Sequence, residues 1–290
     1  AWSFTRTTGA GGTNQKTAVQ LQREAAVVLA LGGGFQAYFK QKRDGSIYDE
    51  RMPVMAEVAK FCRARQAICH HAEPVPQVAL LFSTPAHYRR ARGLFSRELS
   101  RLAGTLQALL ESQQSVEVLG EHQLAGRLAE YPLIVVPEWE YLEPKFKQDL
   151  VAYVNGGGKL LLVGPKTAAL FAPELGVTLQ GEPQPDAAIF LTHNGTQVAM
   201  KAQTQTAQLG PQAKAFGELR ASADPNSPAQ PAASVTALGR GQIAATYCTF
   251  GQGYLSTRSA SARQFLNALV RQLFPKPLVE VKGSSDVDVS

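Results

Sequence analysis

The sequence predicts an α/β fold in which a parallel sheet is followed by an antiparallel β section and preceded by two further βα units. Three observations carry this prediction. Between residues 77 and 164, short apolar runs alternate four times with helical periodicity, a pattern that calls for parallel strands with helices on both faces. Beyond Gly176 hairpin signals take over, the strongest being Asn194-Gly195 between 189–193 and 196–200, because both residues tolerate the positive φ of a tight turn. Ahead of Pro74-Val75-Pro76, a stiff linker that ends a helix, there are only two βα units.

Those first units run in order. Trp2-Ser3-Phe4 is an apolar strand stub followed by a Gly/Thr-rich loop. Ala18, Leu21, Ala25, Val28 and Leu29 recur at helical spacing, and Gly32-Gly33-Gly34 stops that helix. Residues 35–39 supply an aromatic-rich strand, Asp44-Gly45 a turn, and 52–68 an amphipathic helix with Met55, Val58, Ala59 and Cys62 on one face. Two such units leave strand edges and sheet faces without partners. Residues 1–74 are therefore expected to be the end of a larger domain, an expectation that a start at Ala1 in mid-strand reinforces.

The second region, 75–278, opens with the continuous apolar run 78–82, as a central parallel strand requires. One helix is expected to bury Leu94, Phe95, Leu99, Leu102, Leu106, Leu109 and Leu110. Strands follow at 116–119, 133–136 and 159–164, with helices at 123–130 and 144–154. The latter is ended by Gly156-Gly157-Gly158, where glycine takes a left-handed cap at little cost. Residues 222–233, rich in Pro, Ser and Ala, are expected to be a mobile loop. A second hairpin spans 235–249 around Gly239-Arg240-Gly241. The last helix carries Ala262, Phe265, Leu266, Leu269, Val270 and Leu273 and stops at Pro275. Residues 278–281 are expected to resume a strand, with 279–290 beginning a further domain.

Composition narrows the function classes. A net charge of +6 over 290 residues is modest, and the only basic cluster is Tyr88-Arg89-Arg90-Ala91-Arg92, so nucleic acid is not the favoured partner. Three cysteines, Cys62, Cys69 and Cys248, lack metal spacing and imply no disulfide framework. No segment reaches the roughly 18 apolar residues of a membrane span, and the amino end carries no signal pattern. The compartment stays open, with a soluble, periplasmic or secreted full-length protein as the expectation.

Candidate motifs are weak. The stretch Ala10-Gly11-Gly12-Thr13-Asn14-Gln15-Lys16-Thr17 sits where a phosphate loop would, but that loop needs glycine at the positions held by Gln15 and Ala10. Cys69-His70-His71 is contiguous on a helix end, so its side chains diverge rather than converge on one ion. His87, His122 and His193 have no partner His at helical spacing. Neither a metal nor a cofactor is expected. Glu138, Glu140 and Glu143 follow the third strand of the parallel region, at the carboxyl edge where ligands of α/β sheets bind. Pro137 and Pro144 are expected to bracket a solvated turn there, with Trp139 and Tyr141 as contact residues.

Several phrases together resemble a known family. They are Gln77-Val78-Ala79-Leu80-Leu81, Leu133-Ile134-Val135-Val136-Pro137, the run 153–164 with its triple glycine, and Ala237-Leu238-Gly239-Arg240-Gly241-Gln242. Residues 77–278 resemble the flavodoxin-like, class I glutamine-amidotransferase-like domain that follows the catalytic barrel in family 42 β-galactosidases, called the trimerisation domain there, and in related α-L-fucosidases. Residues 16–39 with Asp44-Gly45-Ser46-Ile47 resemble the last two βα units of the (β/α)8 barrel of such hydrolases. The resemblance implies the C-terminal part of a carbohydrate-active enzyme.

Two departures limit what this part can do. A true amidotransferase places Cys in a Gly-x-Cys-x-Gly elbow after the fourth strand; this chain has Gly164-Pro165-Lys166-Thr167. The carboxylate pair of a glycosidase would lie on barrel strands upstream of Ala1. No catalytic residue is therefore assigned. Trp2, Tyr38 and Phe39 are expected to line a sugar pocket, and Ser83, Thr84, Glu138, Trp139 and Lys166 to form a ligand or interface edge. The expected role of 75–278 is barrel packing or homo-oligomerisation as a dimer or trimer. The alternative is a domain that binds a small ligand or effector at that edge.

Overall fold

The computed structural model describes all residues except 1, 4, 8–12, 39–40, 92, 94–98, 285–286, 288 and 290, and only the backbone of 2–3, 5–7, 13–14 and 37–38. The chain divides into two units, 1–75 and 76–289.

The first unit holds β1 (Trp2–Ser3), β2 (Thr5–Thr7), β3 (Thr13–Gln15), α1 (Ala18–Ala30), β4 (Ala37–Tyr38) and α2 (Met52–Cys69). β1 and β4 pair in parallel, Trp2 opposite Ala37, while β2 and β3 pair antiparallel. α1 starts where Thr17 and Gln20 form a capping box: the Gln20 amide donates to Thr17 Oγ1 at 3.3 Å and the Thr17 amide to Gln20 Oε1 at 3.0 Å. Its small core joins Leu21 and Val58, with Phe35, Val54, Met55 and Cys62 against them. Ile68, Val19 and Met52 are exposed.

The second unit is built on a nine-stranded sheet. Its elements are β5 (Val78–Phe82), α3 (Thr84–Arg90), α4 (Ser100–Leu110), β6 (Val116–Gly120), α5 (Glu121–Leu124), β7 (Leu133–Pro137), α6 (Pro144–Asn155), β8 (Lys159–Val163), α7 (Pro165–Leu170), α8 (Ala172–Leu175), β9 (Val177–His193), β10 (Thr196–Leu209), β11 (Ala213–Arg220), β12 (Gln230–Leu238), β13 (Gly241–Thr246), α9 (Phe250–Thr257) and α10 (Ala260–Leu273). The order is β10-β9-β11-β12-β13-β8-β7-β5-β6. β6, β5, β7, β8 and β13 are parallel, and β13 turns the sheet antiparallel by pairing with β12. Val78 to Leu81, Leu133 to Val136 and Leu160 to Val163 are wholly buried. Successive strand residues face opposite sides, so helices cover both faces of the parallel half.

Two glycines set how closely the helices on one face approach. A Cβ on Gly104 of α4 would stand 1.7 Å from the carbonyl oxygen of Gly251 in α9, and one on Gly251 would stand 2.4 Å from the Arg101 oxygen. Only hydrogen fits at this crossing, and it brings the start of α9 onto α4.

Several elements differ from expectation. The single helix after β5 is two, α3 and α4; Leu94 and Phe95 lie outside the described residues, and Leu99 caps α4. The Asn194-Gly195 turn forms, with φ of +47° and +77°, but β9 and β10 run far beyond it. Their middle is polar and exposed on residues such as Glu182, Gln184 and Asp186, so no buried face revealed them. Residues 230–233 belong to β12 rather than to a mobile loop: Ala232 and Ala233 are fully buried, their small side chains suiting a crowded strand between two others. The strand expected through Thr249 ends at Thr246, and α9 follows; its Gly251 and Gly253 lower helix propensity, and burial of Phe250 and Tyr254 offsets this. Residues 278–281 form no strand. Leu278 gives its N–H to the side chain of Gln77 at 2.9 Å, and Leu278 and Val279 stay exposed. Among the described residues, no helix is long and apolar enough to cross a membrane.

Alanine at Gly104 gains about 1 kcal/mol of helix propensity, yet must push α9 off α4. The expected outcome of Gly104→Ala is a net loss of about 2–3 kcal/mol, measured by urea denaturation at neutral pH.

Candidate functional site

The parallel strands end together at one edge, and the chain after β7 does something unusual there. Glu138 takes φ of +42°, a left-handed conformation that costs a non-glycine residue about 1–2 kcal/mol. Its N–H donates to the Val163 carbonyl at 2.7 Å. This carries the β7–β8 ladder one residue past the strand and aims the side chain inward beneath α9. Gly164, after β8, has φ of +96°. A Cβ there would lie 2.8 Å from Glu138 Cγ.

The Glu138 carboxyl is buried, 2% exposed. Oε1 accepts from the Gly251 N–H at 2.5 Å and the Gln252 N–H at 3.3 Å, so it caps the amino end of α9, where the helix dipole favours negative charge. Oε2 has no hydrogen-bond partner among the described residues; the Arg101 Nε lies 3.7 Å away. Burial pushes the Glu138 pKa up to about 7, against the opposing pull of Arg101, the two amides and Arg90. Desolvation wins because, among the described residues, one oxygen receives no hydrogen-bond donor.

Around it lies a charged cluster. Arg90 donates to the Glu138 carbonyl and, at 3.1 Å, to Glu140 Oε1. Arg101 reaches the same Oε1 at 3.2 Å, and Lys166 reaches Oε2 at 3.2 Å. Partial burial works against ionisation of Glu140, but Arg90, Lys166 and Arg101 outweigh it and hold its carboxyl below the usual range. Trp139 is buried, donating from Nε1 to the Leu81 carbonyl at 2.7 Å and accepting at its own carbonyl from Thr167 at 2.8 Å. The turn between Pro137 and Pro144 is thus not a solvated loop: Glu138, Trp139 and Leu142 are buried, because the ladder bond to Val163 and the indole bond to Leu81 draw it over the sheet.

A second cluster sits at the ends of β5 and β6. Ser83, fully buried, accepts from the Ala86 N–H at 3.3 Å as the cap of α3 and donates to Glu121 Oε1 at 2.5 Å. Glu121 Oε2 accepts from the Glu143 N–H at 3.3 Å. Thr84 is the half-buried first residue of α3.

Cys248 stands at this edge too, two residues beyond β13 rather than within it, and its carbonyl accepts from Thr246 Oγ1 at 3.2 Å. Thr246 Oγ1 also receives the Gly164 N–H at 2.9 Å. The Cys248 thiol is fully buried and pushed up, first by burial and then by Glu138, so it is not a nucleophile at neutral pH.

The structure brings Glu138, Trp139 and Lys166 into one cluster and places Ser83 and Thr84 in the neighbouring one. Arg90, Arg101, Glu121 and Gly251 were not foreseen. Arg90 alone had a signal, the basic cluster at 88–92. Trp2 and Tyr38 lie on the paired strands β1 and β4, and Phe39 lies outside the described residues. Lys16 is ion-paired with Glu24 at 2.7 Å. Among the described residues, no group of three His, Cys, Asp or Glu is placed to hold a metal.

No family profile and no curated protein matches the sequence. Solved structures do share the fold. The GH42 β-galactosidase Gan42B from G. stearothermophilus matches with a TM-score of 0.72 and 17% identity, over 99% of this chain and 44% of that one. The α-L-fucosidase isoenzyme 2 from Paenibacillus thiaminolyticus matches with a TM-score of 0.71 and 16% identity, over 91% and 42%. The cold-adapted β-galactosidase from Rahnella sp. R3 matches with a TM-score of 0.70 and 17% identity, over 97% and 46%. The chain thus has the mixed α/β fold of part of these glycoside hydrolases, and spans less than half of each.

In the folded chain Glu138 keeps its proton up to about pH 7, whereas unfolded it releases it near 4.5. The folded state therefore binds more protons in between, and stability falls as pH rises from about 4.5 to about 7, by about 3 kcal/mol in total. Glu138→Gln keeps an oxygen for the Gly251 and Gln252 amides but has no proton to lose. Denaturation curves at successive pH values are expected to show this decline in the wild type and its disappearance in the variant.

Proposed function

We propose that this chain is part of a carbohydrate-active glycoside hydrolase of the β-galactosidase or α-L-fucosidase kind, and that residues 75–278 form a noncatalytic, flavodoxin-like and amidotransferase-like domain serving barrel packing or oligomerisation. Residues 1–74 are the end of the barrel in this proposal, with Trp2, Tyr38 and Phe39 near its sugar pocket. The fold likeness supports the parentage. The order 2-1-3-4 of β6-β5-β7-β8 supports the flavodoxin-like assignment.

The observation that carries the noncatalytic assignment is the turn at Gly164. A nucleophile elbow is a strained strand-to-helix turn that exposes a reactive side chain. Gly164 keeps the positive φ, +96° between β8 and α7, without strain because it has no Cβ, and Glu138 Cγ fills the space a side chain would need. Pro165 and Lys166 follow, the first buried and the second paired to Glu140. Neither supplies a thiolate or hydroxyl.

The chain is expected to release no nitrophenol from nitrophenyl fucoside or galactoside and no ammonia from glutamine. Turnover of either kind above a buffer blank contradicts the noncatalytic assignment. For the oligomer, sedimentation of the full-length protein is expected to show a dimer or trimer, and a strict monomer argues against that half of the proposal.

A second reading is favoured by one feature, the convergence of Arg90, Arg101 and Lys166 on a single carboxylate: the edge binds a small ligand. A calorimetric screen with sugars and amino acids tests it.

A further inference from the structure

We infer that Arg90, Arg101 and Lys166 form a binding site for a small molecule that presents a carboxylate, and that the side chain of Glu140 is its built-in occupant. This inference narrows the ligand-binding reading above and rests on it.

The three cations come from separate elements: the last residue of α3, the first turn of α4 and the first turn of α7. No local helix geometry pairs them, so their meeting is a product of the fold. They meet on one planar carboxylate, two guanidinium groups at 3.1 and 3.2 Å on Oε1 and an ammonium at 3.2 Å on Oε2. Guanidinium groups match the plane of a carboxylate, and the lysine adds a point charge. A free carboxylate would find the same donors in the same places.

Charge and exposure point the same way. Three positive groups face Glu140 and the buried Glu138, leaving a surplus of one positive charge when both acids are ionised and two when Glu138 holds its proton. Arg90 and Arg101 side chains are only 20% and 26% exposed, against 36% for Glu140 and 46% for Lys166. The two guanidinium donors are therefore partly desolvated, where ion pairing is stronger than at an open surface, while Glu140 and Lys166 lie on the more exposed side. Beneath them the network is unsaturated: among the described residues, Arg90 Nε and Glu138 Oε2 are both buried without a hydrogen-bond partner. Buried polar atoms are rarely left so, and a cluster built only for stability would be expected to satisfy them.

The test removes the occupant. In the full chain, Glu140→Ala is expected to bind acetate about tenfold or more tightly than the wild type by calorimetry, and to regain thermal stability in acetate but not in chloride at equal ionic strength. Glu140→Gln, which keeps the shape and loses the charge, serves if the alanine variant does not fold. Adding Arg101→Ala to either variant is expected to abolish acetate binding. Equal responses to acetate and chloride, or no acetate binding by either variant, overturn the proposal. Tighter binding of inorganic phosphate than of acetate overturns its carboxylate chemistry. A sugar or amino acid that still binds when Arg101 is replaced leaves the broader ligand reading standing while this assignment fails.

Discussion

The carboxyl of Glu138 lies where the ends of β7, β8 and β13 meet the start of α9, and much of the second unit is arranged around keeping it there. One oxygen is satisfied by two helix amides, and the other, among the described residues, meets only a guanidinium 3.7 Å away. A buried carboxylate costs several kcal/mol unless it is fully paired, so the group is held partway between ion and acid. The backbone accepts a second cost to place it, since a left-handed glutamate is strained. Both costs fall at one position, at the carboxyl edge where α/β sheets place their sites.

Three glycines make room for this arrangement. Gly164 yields its side-chain space to Glu138, Gly251 lets its amide reach the carboxylate, and Gly104 lets α4 accept α9 at backbone distance. α4 in turn carries Arg101, which bridges Glu138 and Glu140. The helix crossing and the charged cluster are therefore one construction. Gly164, by yielding its side-chain space to Glu138, also leaves the turn after β8 without a side chain, so the burial of Glu138 and the proposed lack of catalysis share a physical origin.

The parallel half of the sheet was legible because strands buried on both faces read as unbroken apolar runs, as Val78 to Leu81 and Leu160 to Val163 do. The Asn194-Gly195 turn was legible from residue type alone. The long arms of β9 and β10 were not, since Gln180 to Ala188 show no buried face from which a period of two could be counted. α9 escaped notice because two glycines hide a helix whose stability comes from Phe250 and Tyr254 against the core. Glu138 was picked out for its place after an apolar strand, but its burial was missed; nothing local to Pro137-Glu138-Trp139 says that the turn folds inward.

By itself the sequence determined the alternation of strands and helices, the tight turn at Asn194-Gly195 and the absence of a cysteine after the fourth parallel strand, because each depends on residue type and short-range spacing. Only the tertiary structure decided that Arg90, Arg101 and Lys166 share one carboxylate, that the Cys248 thiol is fully buried, and that Glu138 is sealed under α9. These are meetings between residues up to a hundred or so positions apart. They follow from sheet order and helix approach, which act across the chain and leave no mark in any local stretch of it.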